Sequence, residues 1–586
     1  MPAFTTLSHR RAGNPHLPAA STRRVPLFLQ LSLPTIMKLR KLLAASLFGI
    51  AALLSGCNES VFVPDASDLA DKDSQYYPNL DVLDVTLKAV RGDKYSIADV
   101  NNYPDAYANG VTPEIKVHFA AADYPDDNLA DNAKLRLRGS SSRLAPQKSY
   151  RIKLNSGIAL WRGEQTLQIN KHPYDLTRVR NKLAMDLFRD IPHLGSLRTQ
   201  FVHLKFDDDG DAATPIVDYG LYTHVEKFGK EYLTNRGYDP AGNIYKAADF
   251  TFSRDARLQL NADGTPGSQF ESVLEVQSGS KHAALMNMVQ DVDSDSTDFP
   301  SVFGKYFNRN NYLTWLAVNI LMGNRDTVNQ NFALYQPAGG ERFYFLPWDY
   351  DGALGWEQQP DVLAAPQLYD SWQLGLSNWW SVPLHRRFLM QPKNYQDLQK
   401  AVDEIYNGYL GKARLKAKID AYRPLVEALI TGDPDLQYLP TSDAADTVAK
   451  RKAEWAGEYE RLSSVIDTNY RQFKAQLEKP MPFWQAAEVG SNGLTLRWEA
   501  AVDMQNDAVT YTVEIADQPD FRSGSKKLSR SQYAGTSLQV NALPAGTYYL
   551  RVIATDAKGN TQNAFDRHTD ASGRNYFGVL QFVVAG

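Results

Sequence analysis

The change in residue pattern near Pro480 constrains the fold of this chain more than any other feature. Before it, strand-like alternation gives way to long segments with helical periodicity. After it, short alternating segments separated by Gly, Asn, Asp and Pro turns run to residue 586. Domains usually hold roughly 100 to 200 residues, so a chain of this length exceeds one hydrophobic core. We therefore expect two or three domains, with a bilobal α+β domain over residues 80–478 and an all-β sandwich over 480–586.

The first of these domains changes character along its length. Alternating apolar and polar residues predict strands over 115–119, 135–138, 201–204 and 219–222. Apolar residues at helical spacing predict helices over 179–188, 312–321, 395–406 and 444–477. A strand-rich first half followed by a helical second half is typical of a bilobal α+β domain.

Charge and composition exclude several classes of protein. Hydrophobic residues make up 43% of the chain, which is typical of a folded protein. Residues 1–57 contain seven Lys or Arg and no acidic residue, which leaves 56 basic against 67 acidic groups in the remainder. An acidic body of this kind argues against a nucleic-acid partner.

Cys57 is the only cysteine of the chain, so neither an internal disulfide nor a thiolate metal cluster can form. A basic stretch from Met37 and an apolar run over 42–54 precede it, in the order of a secretory signal. The run is too short for the roughly 30 Å hydrocarbon core of a bilayer. We interpret residues 1–36 as an extension from a misread upstream start, 37–57 as the signal peptide and 58–79 as a polar tether.

The sequence Leu54-Ser55-Gly56-Cys57 resembles the lipobox of bacterial lipoproteins. This resemblance implies that Cys57 is lipidated and that the body is held at a membrane, outside the cytoplasm. By similarity to lipoprotein sorting, Asn58 in place of Asp favours the outer membrane. A buried free thiol is the plainer alternative for Cys57.

The segment Gly323-Asn324-Arg325-Asp326-Thr327-Val328-Asn329-Gln330-Asn331 carries the first chemical motif. Arg-Asp followed by four residues and Asn has the spacing of the protein-kinase catalytic loop, with Asn324 at the position of the usual His. In that loop the carboxylate orients the attacking hydroxyl and accepts its proton, and the amide oxygen contacts Mg²⁺. Asp326 and Asn331 are therefore candidates for a phosphotransfer site.

The second motif follows a predicted hairpin. Strands over 331–335 and 342–346 flank Ala338-Gly339-Gly340 and lead to Pro347-Trp348-Asp349-Tyr350-Asp351-Gly352, where a kinase places its metal-binding aspartate. In an extended segment the carboxylates of Asp349 and Asp351 would point to one side, a geometry suited to Mg²⁺. An acidic loop with a turn-forming Asp-Gly is the alternative.

Basic and small residues upstream suggest phosphate contacts. The strand ending at Arg138 is followed by a turn of small residues, whose backbone N–H groups could reach phosphates. A strand lysine could add a point charge. Lys148 and Lys153 compete for this role, because residues five positions apart on one strand face opposite sides. A solvated strand lysine is the alternative for either.

Five segments in order carry a family resemblance: R-G-S-S-S-R with K-S-Y-R-I-K-L, V-R-N-K-L-A-M-D-L-F, Y-G-L-Y-T-H-V-E-K, G-N-R-D-T-V-N-Q-N-F and F-L-P-W-D-Y-D-G. Together they resemble the CotH family of atypical kinases, named for a spore coat protein H, over roughly residues 80–475. The resemblance implies a divergent protein-kinase-like fold that uses ATP with Mg²⁺, or Mn²⁺ as the alternative ion. It further implies phosphorylation of Ser, or Thr, hydroxyls on secreted or surface proteins.

The same resemblance implies roles for individual residues. Asp326 would be the catalytic base, Asn331 and Asp349 metal ligands, and Asp351 a second carboxylate at the metal. Arg138, Lys148 and Glu226 would lie on the nucleotide side, with an exposed glutamate at a helix start as the alternative for Glu226. A catalytically inactive binding or scaffold lipoprotein on the same fold is the alternative function, and divalent-metal binding to a surface polysaccharide is a third.

The last part of the chain resembles a second family. Residues 543–552, followed by Asp556 and Gly559-Asn560, are similar to a fibronectin type III module, with Trp498 as its core tryptophan. We expect the module to bind a protein or polysaccharide ligand.

Overall fold

The computed structural model describes residues 80–102, 113–125, 128–211, 213–365, 371–373, 375–442, 447–490 and 493–585. The expectations for residues 1–36, for the signal peptide with Cys57 and for the tether over 58–79 lie outside the described residues. Within those described, no helix combines the length and apolarity needed to cross a bilayer.

Seven strands at the start of the described chain close into a barrel. β1 pairs in parallel with β6, and all other neighbours are antiparallel, in the order β1-β2-β3-β4-β5-β7-β6. Alternating residues such as Val117, Leu135 and Ile152 are buried in a core that is separate from the larger core of the helical region. The strands are β1 (Val82–Ala89), β2 (Ile115–Ala121), β3 (Ala133–Arg138), β4 (Ser149–Leu154), β5 (Thr166–Asn170), β6 (Thr199–Asp207) and β7 (Val217–Val225).

A second sheet of four strands, in the order β11-β10-β8-β9, follows the barrel. The hairpin predicted after the first acidic motif is present, with Leu334 opposite Phe345. Phe332 is opposite Pro347, so the hairpin brings both acidic motifs to its open end. The strands are β8 (Asn243–Ala247), β9 (Leu274–Ser278), β10 (Phe332–Gln336) and β11 (Tyr344–Pro347).

Helices dominate the region between this sheet and residue 476. The four predicted helices are present. The longest helix that was not predicted is α10, because its lysine-rich sequence and internal Pro424 obscure the apolar spacing. Over all described residues, the helices are α1 (Ile97–Asn102), α2 (Arg180–Phe188), α3 (Lys230–Asn235), α4 (Ala283–Val292), α5 (Phe299–Tyr306), α6 (Arg309–Met322), α7 (Pro360–Leu363), α8 (Pro383–Leu389), α9 (Pro392–Ile405), α10 (Lys412–Ile430) and α11 (Val448–Gln476).

The helix α2 was predicted from an apolar stripe on one face, but its other face is not exposed, because every residue of α2 is buried. Its charged residues are buried as ion pairs: Arg180 contacts Asp175 and Glu458, and Lys182 Nζ lies 2.9 Å from Asp186. A buried charge needs such a partner to offset the loss of water. The same correction applies to α6, which was predicted to be amphipathic and is buried along nearly its whole length.

The C-terminal region is all-β. One sheet has the order β12-β13-β16 and a larger one β15-β14-β17-β18, with β21 also paired to β17. Trp498 and Val513 lie in the core of this module, as the sequence predicted for Trp498. The strands are β12 (Gln485–Gly490), β13 (Gly493–Trp498), β14 (Thr510–Ala516), β15 (Lys526–Tyr533), β16 (Ser537–Val540), β17 (Gly546–Thr555), β18 (Thr561–Asn563), β19 (Arg567–Thr569), β20 (Asn575–Phe577) and β21 (Val579–Val584). The prediction of an α+β fold followed by an all-β module is confirmed.

The module packs against the helical region. The rings of Trp372 and Phe565 meet edge to face with centroids 5.1 Å apart, and Arg386 forms an ion pair of 3.2 Å with Glu499. Phe565 is part of the large core formed by the helices rather than of the core of the module. Apolar and ionic contacts thus join the two parts.

Candidate catalytic and metal-binding site

The first acidic motif forms a tight loop between α6 and β10. α6 begins where the Asn308 side chain accepts a hydrogen bond from Asn311 N and ends at Gly323, whose φ of 65° is readily adopted by glycine. The loop then makes a 3₁₀ turn and reaches Asn331, whose amide Nδ2 donates to Asp326 Oδ2 over 3.3 Å. The two residues that the spacing singled out are therefore in contact.

The second acidic motif follows β11, and its backbone differs from the prediction. Asp349 has a φ of 52°, so the segment is not extended and the alternation argument for its two carboxylates is wrong. The carboxylates nevertheless converge. Ligand atoms of Asp349, Asp351 and His172 all lie within 4.8 Å of one another. Asn324 Nδ2 donates to the carbonyl oxygen of Asp349 over 3.3 Å and so joins the two acidic motifs.

His172 is a member of the site that sequence reasoning missed. It is buried just after β5, and its Nδ1 lies 3.0 Å from Asp351 Oδ2. Asn181 Oδ1 accepts a hydrogen bond from Tyr350 N, which turns its Nδ2 toward His172 Nε2 at 3.4 Å. This assignment leaves the proton on Nδ1, which donates to Asp351. A signal was available: a polar residue directly after a buried strand and before a proline.

Arg138 is the last residue of β3 and interacts electrostatically with the second acidic motif. Its guanidinium donates to Asn170 Oδ1 at the end of β5. Burial lowers the pKa of Arg138, and the negative charges of Asp349 and Asp351 act in the opposite direction. The predicted nucleotide residue Arg138 and the predicted metal residues thus share one electrostatic environment.

The two competing lysines lie in different surroundings. Lys148 precedes β4, and its Nζ donates to Arg143 O in the turn of small residues over 2.7 Å. Lys153 lies on the exposed outer side of the barrel, where it lines a shallow depression with Lys134, Arg136 and others. Of the two, Lys148 lies at the turn that was expected to approach phosphates.

Glu226 lies in a buried ion pair. Arg236 donates to both of its carboxylate oxygens over 2.8 Å, and Arg198 N donates to Oε2 over 3.1 Å. The alternative of an exposed glutamate at a helix start is wrong, because Glu226 is fully buried and α3 begins at Lys230. These contacts stabilise the connection after β7.

Lys246 and Glu275 form a second feature that the sequence did not reveal. The Lys246 Nζ lies 2.9 Å from Glu275 Oε1 across β8 and β9, and both side chains are partly exposed. The charge of Lys246 acts to lower the pKa of Asp349, and that of Glu275 acts to raise the pKa of Arg138. This pair therefore belongs to the electrostatic environment of the acidic site.

The carboxylates of the site differ in their affinity for protons. Burial raises the pKa of Asp326 and of Asp349, and the charge of Asp351 adds to both effects. Burial would also raise the pKa of Asp351, but the hydrogen bond and charge of His172 hold it below the ordinary value. The two converging carboxylates and the amide oxygen of Asn331 in the first motif form an oxygen donor set that fits Mg²⁺ or Mn²⁺, and His172 orients Asp351 through its Nδ1–H.

Comparisons with known proteins bear on the same residues. A family described as CotH kinase protein matches residues 135–473. Inner spore coat protein H of Bacillus subtilis (strain 168) is 27% identical over 233 residues, covering 39% of this chain and 60% of that protein. The twitchin kinase region from C. elegans is 10% identical, with coverage of 75% of this chain and 74% of that one. Its TM-score of 0.17 is too low to support any argument.

The family match contains the whole acidic site. It begins within β3, passes through His172, Asp326 and Asp351, and ends at residue 473 in α11, before the all-β module. The match covers more than half of the sequence. The chain therefore belongs to the CotH kinase protein family.

Proposed function

We propose that this protein is a kinase that transfers the γ-phosphate of ATP to Ser or Thr hydroxyls of secreted or surface proteins. The proposal rests on the convergence of the two acidic motifs. Asn324 of the first motif donates a hydrogen bond to the backbone of Asp349 in the second, and the charge of Asp351 helps to raise the pKa of Asp326. A base and a pair of metal-binding carboxylates are the parts that phosphoryl transfer requires in one place.

We assign Asp326 as the base that accepts the proton of the acceptor hydroxyl. Its Oδ2 accepts the Asn331 amide, which fixes the orientation of the carboxylate. Burial raises its pKa, which makes it a stronger base than an exposed aspartate. The acceptor hydroxyl would bind beside it, and its proton would pass to the Asp326 carboxylate as the oxygen attacks phosphorus.

Asp349 and Asp351, with Asn331, are the residues we assign to Mg²⁺ or Mn²⁺. When bound, such an ion neutralises charge on the phosphate oxygens. His172 holds the Asp351 carboxylate in place through its Nδ1–H. On the nucleotide side, Arg138 interacts electrostatically with these carboxylates, and Lys148 holds the adjacent turn through Arg143 O. We assign Arg138, Lys148 and the backbone of this turn to the phosphates.

The proposed location rests on the lipobox-like sequence before Cys57. Lipidation of Cys57 would place the protein in the cell envelope, outside the cytoplasm and in the outer membrane. Acceptors would then be proteins that share this compartment.

Two variants of the full chain test the proposal. Asp326→Asn should lower turnover by about 10²- to 10⁴-fold and leave Mg-ATP affinity nearly unchanged, because proton transfer matters mainly in the transition state. Asp349→Asn should weaken Mg-ATP binding as well, because an anionic ligand is lost. Calorimetric titration with Mg-ATP and Mn-ATP, beside autophosphorylation measured by mass spectrometry, separates these effects.

Asp263→Asn is a matched control, because Asp263 belongs to an exposed turn where it accepts from Thr265. It should leave both quantities unchanged. If the unmodified protein binds no nucleotide with either ion, the scaffold alternative is correct. If both site variants keep full turnover, the site has been assigned to the wrong residues.

A further inference from the structure

Two loops of the all-β module bring a second group of carboxylates together. The first loop contains Asp503 and Asp507 and precedes β14. The second contains Asp556 and follows β17. Ligand atoms of the three residues all lie within 4.8 Å of one another. Asp503 and Asp556 are only 8% and 5% exposed.

Hydrogen bonds within each loop account for part of this arrangement. Asp503 Oδ1 accepts from Gln505 N over 2.9 Å and from Asp507 N over 3.0 Å. Asp556 Oδ1 accepts from Lys558 N over 2.9 Å and from Asn560 N over 2.8 Å. Such bonds are ordinary turn contacts, and by themselves they indicate no ligand.

Two side-chain oxygens of the first loop take no part in such turn contacts. Asp503 Oδ2 is buried and has no hydrogen-bond donor among the described residues, and the same holds for Gln505 Oε1 in the same loop. Both atoms can only accept hydrogen bonds, apart from a protonated carboxyl. A buried carboxylate oxygen without a partner is costly, and such atoms in native proteins usually indicate a bound water or ion.

The charges around the group favour a cation. Three carboxylates face one ammonium, that of Lys558, whose Nζ lies 2.9 Å from Asp507 Oδ2. Lys558 is half-exposed and is shared with Glu478, whose Oε2 lies 3.4 Å from the same Nζ. The local balance therefore stays negative, and Asp503 Oδ2 remains unpaired.

We propose that the loops containing Asp503, Asp507 and Asp556 bind a Ca²⁺ ion. The three carboxylates offer only oxygen donors, as this hard cation prefers, and the unpartnered Oε1 of Gln505 belongs to the same loop as Asp503 and Asp507. Ca²⁺ accepts six to eight ligands in irregular geometry, which suits two loops supplemented by water, whereas Mg²⁺ demands a near-ideal octahedron.

The position of the two loops gives the ion a structural role. Gln505 Nε2 donates to Leu477 O over 2.7 Å, and Asn560 Nδ2 donates to Glu478 O over 2.8 Å. Both loops thus hold the chain directly after α11. A cation between them would fasten the module to the end of the helical region.

Calcium titration of the full chain after treatment with EDTA tests the proposal. Calorimetry should show a Ca²⁺ site that persists in Asp349→Asn, since that residue belongs to the other metal-binding group. Asp503→Asn keeps the shape of the side chain and one acceptor for the turn, but should weaken Ca²⁺ binding at least tenfold. Ca²⁺ should also raise the melting temperature and slow proteolysis between residues 477 and 485 in every protein that keeps the site, and should do neither in Asp503→Asn.

Asp570→Asn is the matched control. Asp570 makes the same kind of turn, with Oδ1 accepting from Ser572 N and Arg574 N, but it is partly exposed and lies outside the group. It should bind Ca²⁺ as the unmodified protein does. If Asp503→Asn does not fold, Asp507→Asn, at a less buried position, takes its place. The proposal is wrong if the unmodified protein gives no Ca²⁺ signal, or if the tested site variant binds Ca²⁺ with unchanged affinity.

Discussion

His172 shows how a single residue outside the sequence motifs can organise the site. Its Nδ1–H is directed at Asp351, and Asn181 holds the opposite ring nitrogen. His172→Ala should remove this donor and reduce divalent-metal affinity by about 10- to 100-fold, as is usual for residues that orient metal ligands. Titration with Mn²⁺, followed by calorimetry, measures the change.

His203→Ala is the control for this prediction. His203 also contacts two carboxylates, those of Asp84 and Asp218, but it does so on the outside of the barrel. Its loss should leave metal affinity unchanged. Equal Mn²⁺ affinity in His172→Ala and in the unmodified protein would show that His172 serves packing alone.

The residues of the site could be predicted from sequence only where spacing along the chain reflects spacing in the fold. Asp326 and Asn331 lie in one loop, so a five-residue interval sufficed to pair them. His172 and Asp351 are separated by 179 positions, and only the closed barrel and its connections bring them together. The prediction for Asp349 identified the residue but not its backbone, because a positive φ at an aspartate leaves no pattern in the sequence.

At the scale of elements, α8 buries a titratable side chain against α6. His385 is fully buried, its Nδ1 lies 2.9 Å from the Tyr312 hydroxyl, and burial lowers its pKa to about 3. The unfolded chain, with a His pKa near 6.5, then binds more protons than the folded one below that pH. The contribution of neutral His385 to stability is therefore complete above pH 6.5 and is lost as the pH falls toward 3.

His385→Phe removes this titration and so isolates it. Between pH 7.5 and pH 5 the unmodified protein should lose about 2 kcal/mol more free energy of unfolding than the variant. Urea denaturation followed by tryptophan fluorescence at both pH values gives the difference. Parallel losses in the two proteins would mean that His385 is protonated without unfolding. The lost hydrogen bond to Tyr312 shifts the variant equally at both pH values and does not affect the comparison.

A buried ion pair connects α2 to α11. Arg180 contacts both Asp175 and Glu458, and all three side chains are almost completely buried. Arg180→Met should lower the free energy of unfolding by about 3–5 kcal/mol, because it leaves the buried carboxylate of Asp175 without its cation and Glu458 with Arg461 alone. Lys416→Met, which breaks the exposed pair with Asp420, should cost less than about 0.5 kcal/mol. Similar unfolding curves for the two variants would contradict this role of Arg180.

The elements that periodicity predicted well are those with one exposed face. α9 and α11 place most of their charged residues outward, so their spacing is visible in the sequence. In α2 the polar residues are also buried, and only the partners found in the fold, such as Glu458, explain why. The missed helix α10 contains Pro424, which normally argues against a helix interior.

At the scale of the whole molecule, the division near Pro480 was visible in the sequence because the period of the pattern changes there. The contacts across this division could not be predicted from the sequence. Trp372 and Phe565 are separated by 193 positions, and no residue pattern around either position predicts that the two rings meet. A family match that ends at residue 473 likewise leaves the fibronectin type III resemblance of the module as a prediction.

The lipobox-like sequence predicts where the whole protein resides. Cys57→Ser should abolish acylation and remove the protein from the membrane fraction, because the proposed lipid would be attached to this thiol. Asn58→Asp should keep the lipid but favour retention in the inner membrane. Fractionation of membranes, with mass spectrometry of the N-terminal peptide, follows both. A Cys57→Ser protein that still carries an acyl chain would contradict the assignment.

The closed barrel limits the ways in which a protein substrate can approach. Each of its seven strands is paired on both sides over at least part of its length, so the barrel has no edge strand. An extended peptide cannot add to the barrel as an eighth strand, which is how many domains capture peptides regardless of their sequence. Binding along the barrel must therefore rely on contacts between side chains. The barrel would then select a peptide by its side chains and not by its extended backbone.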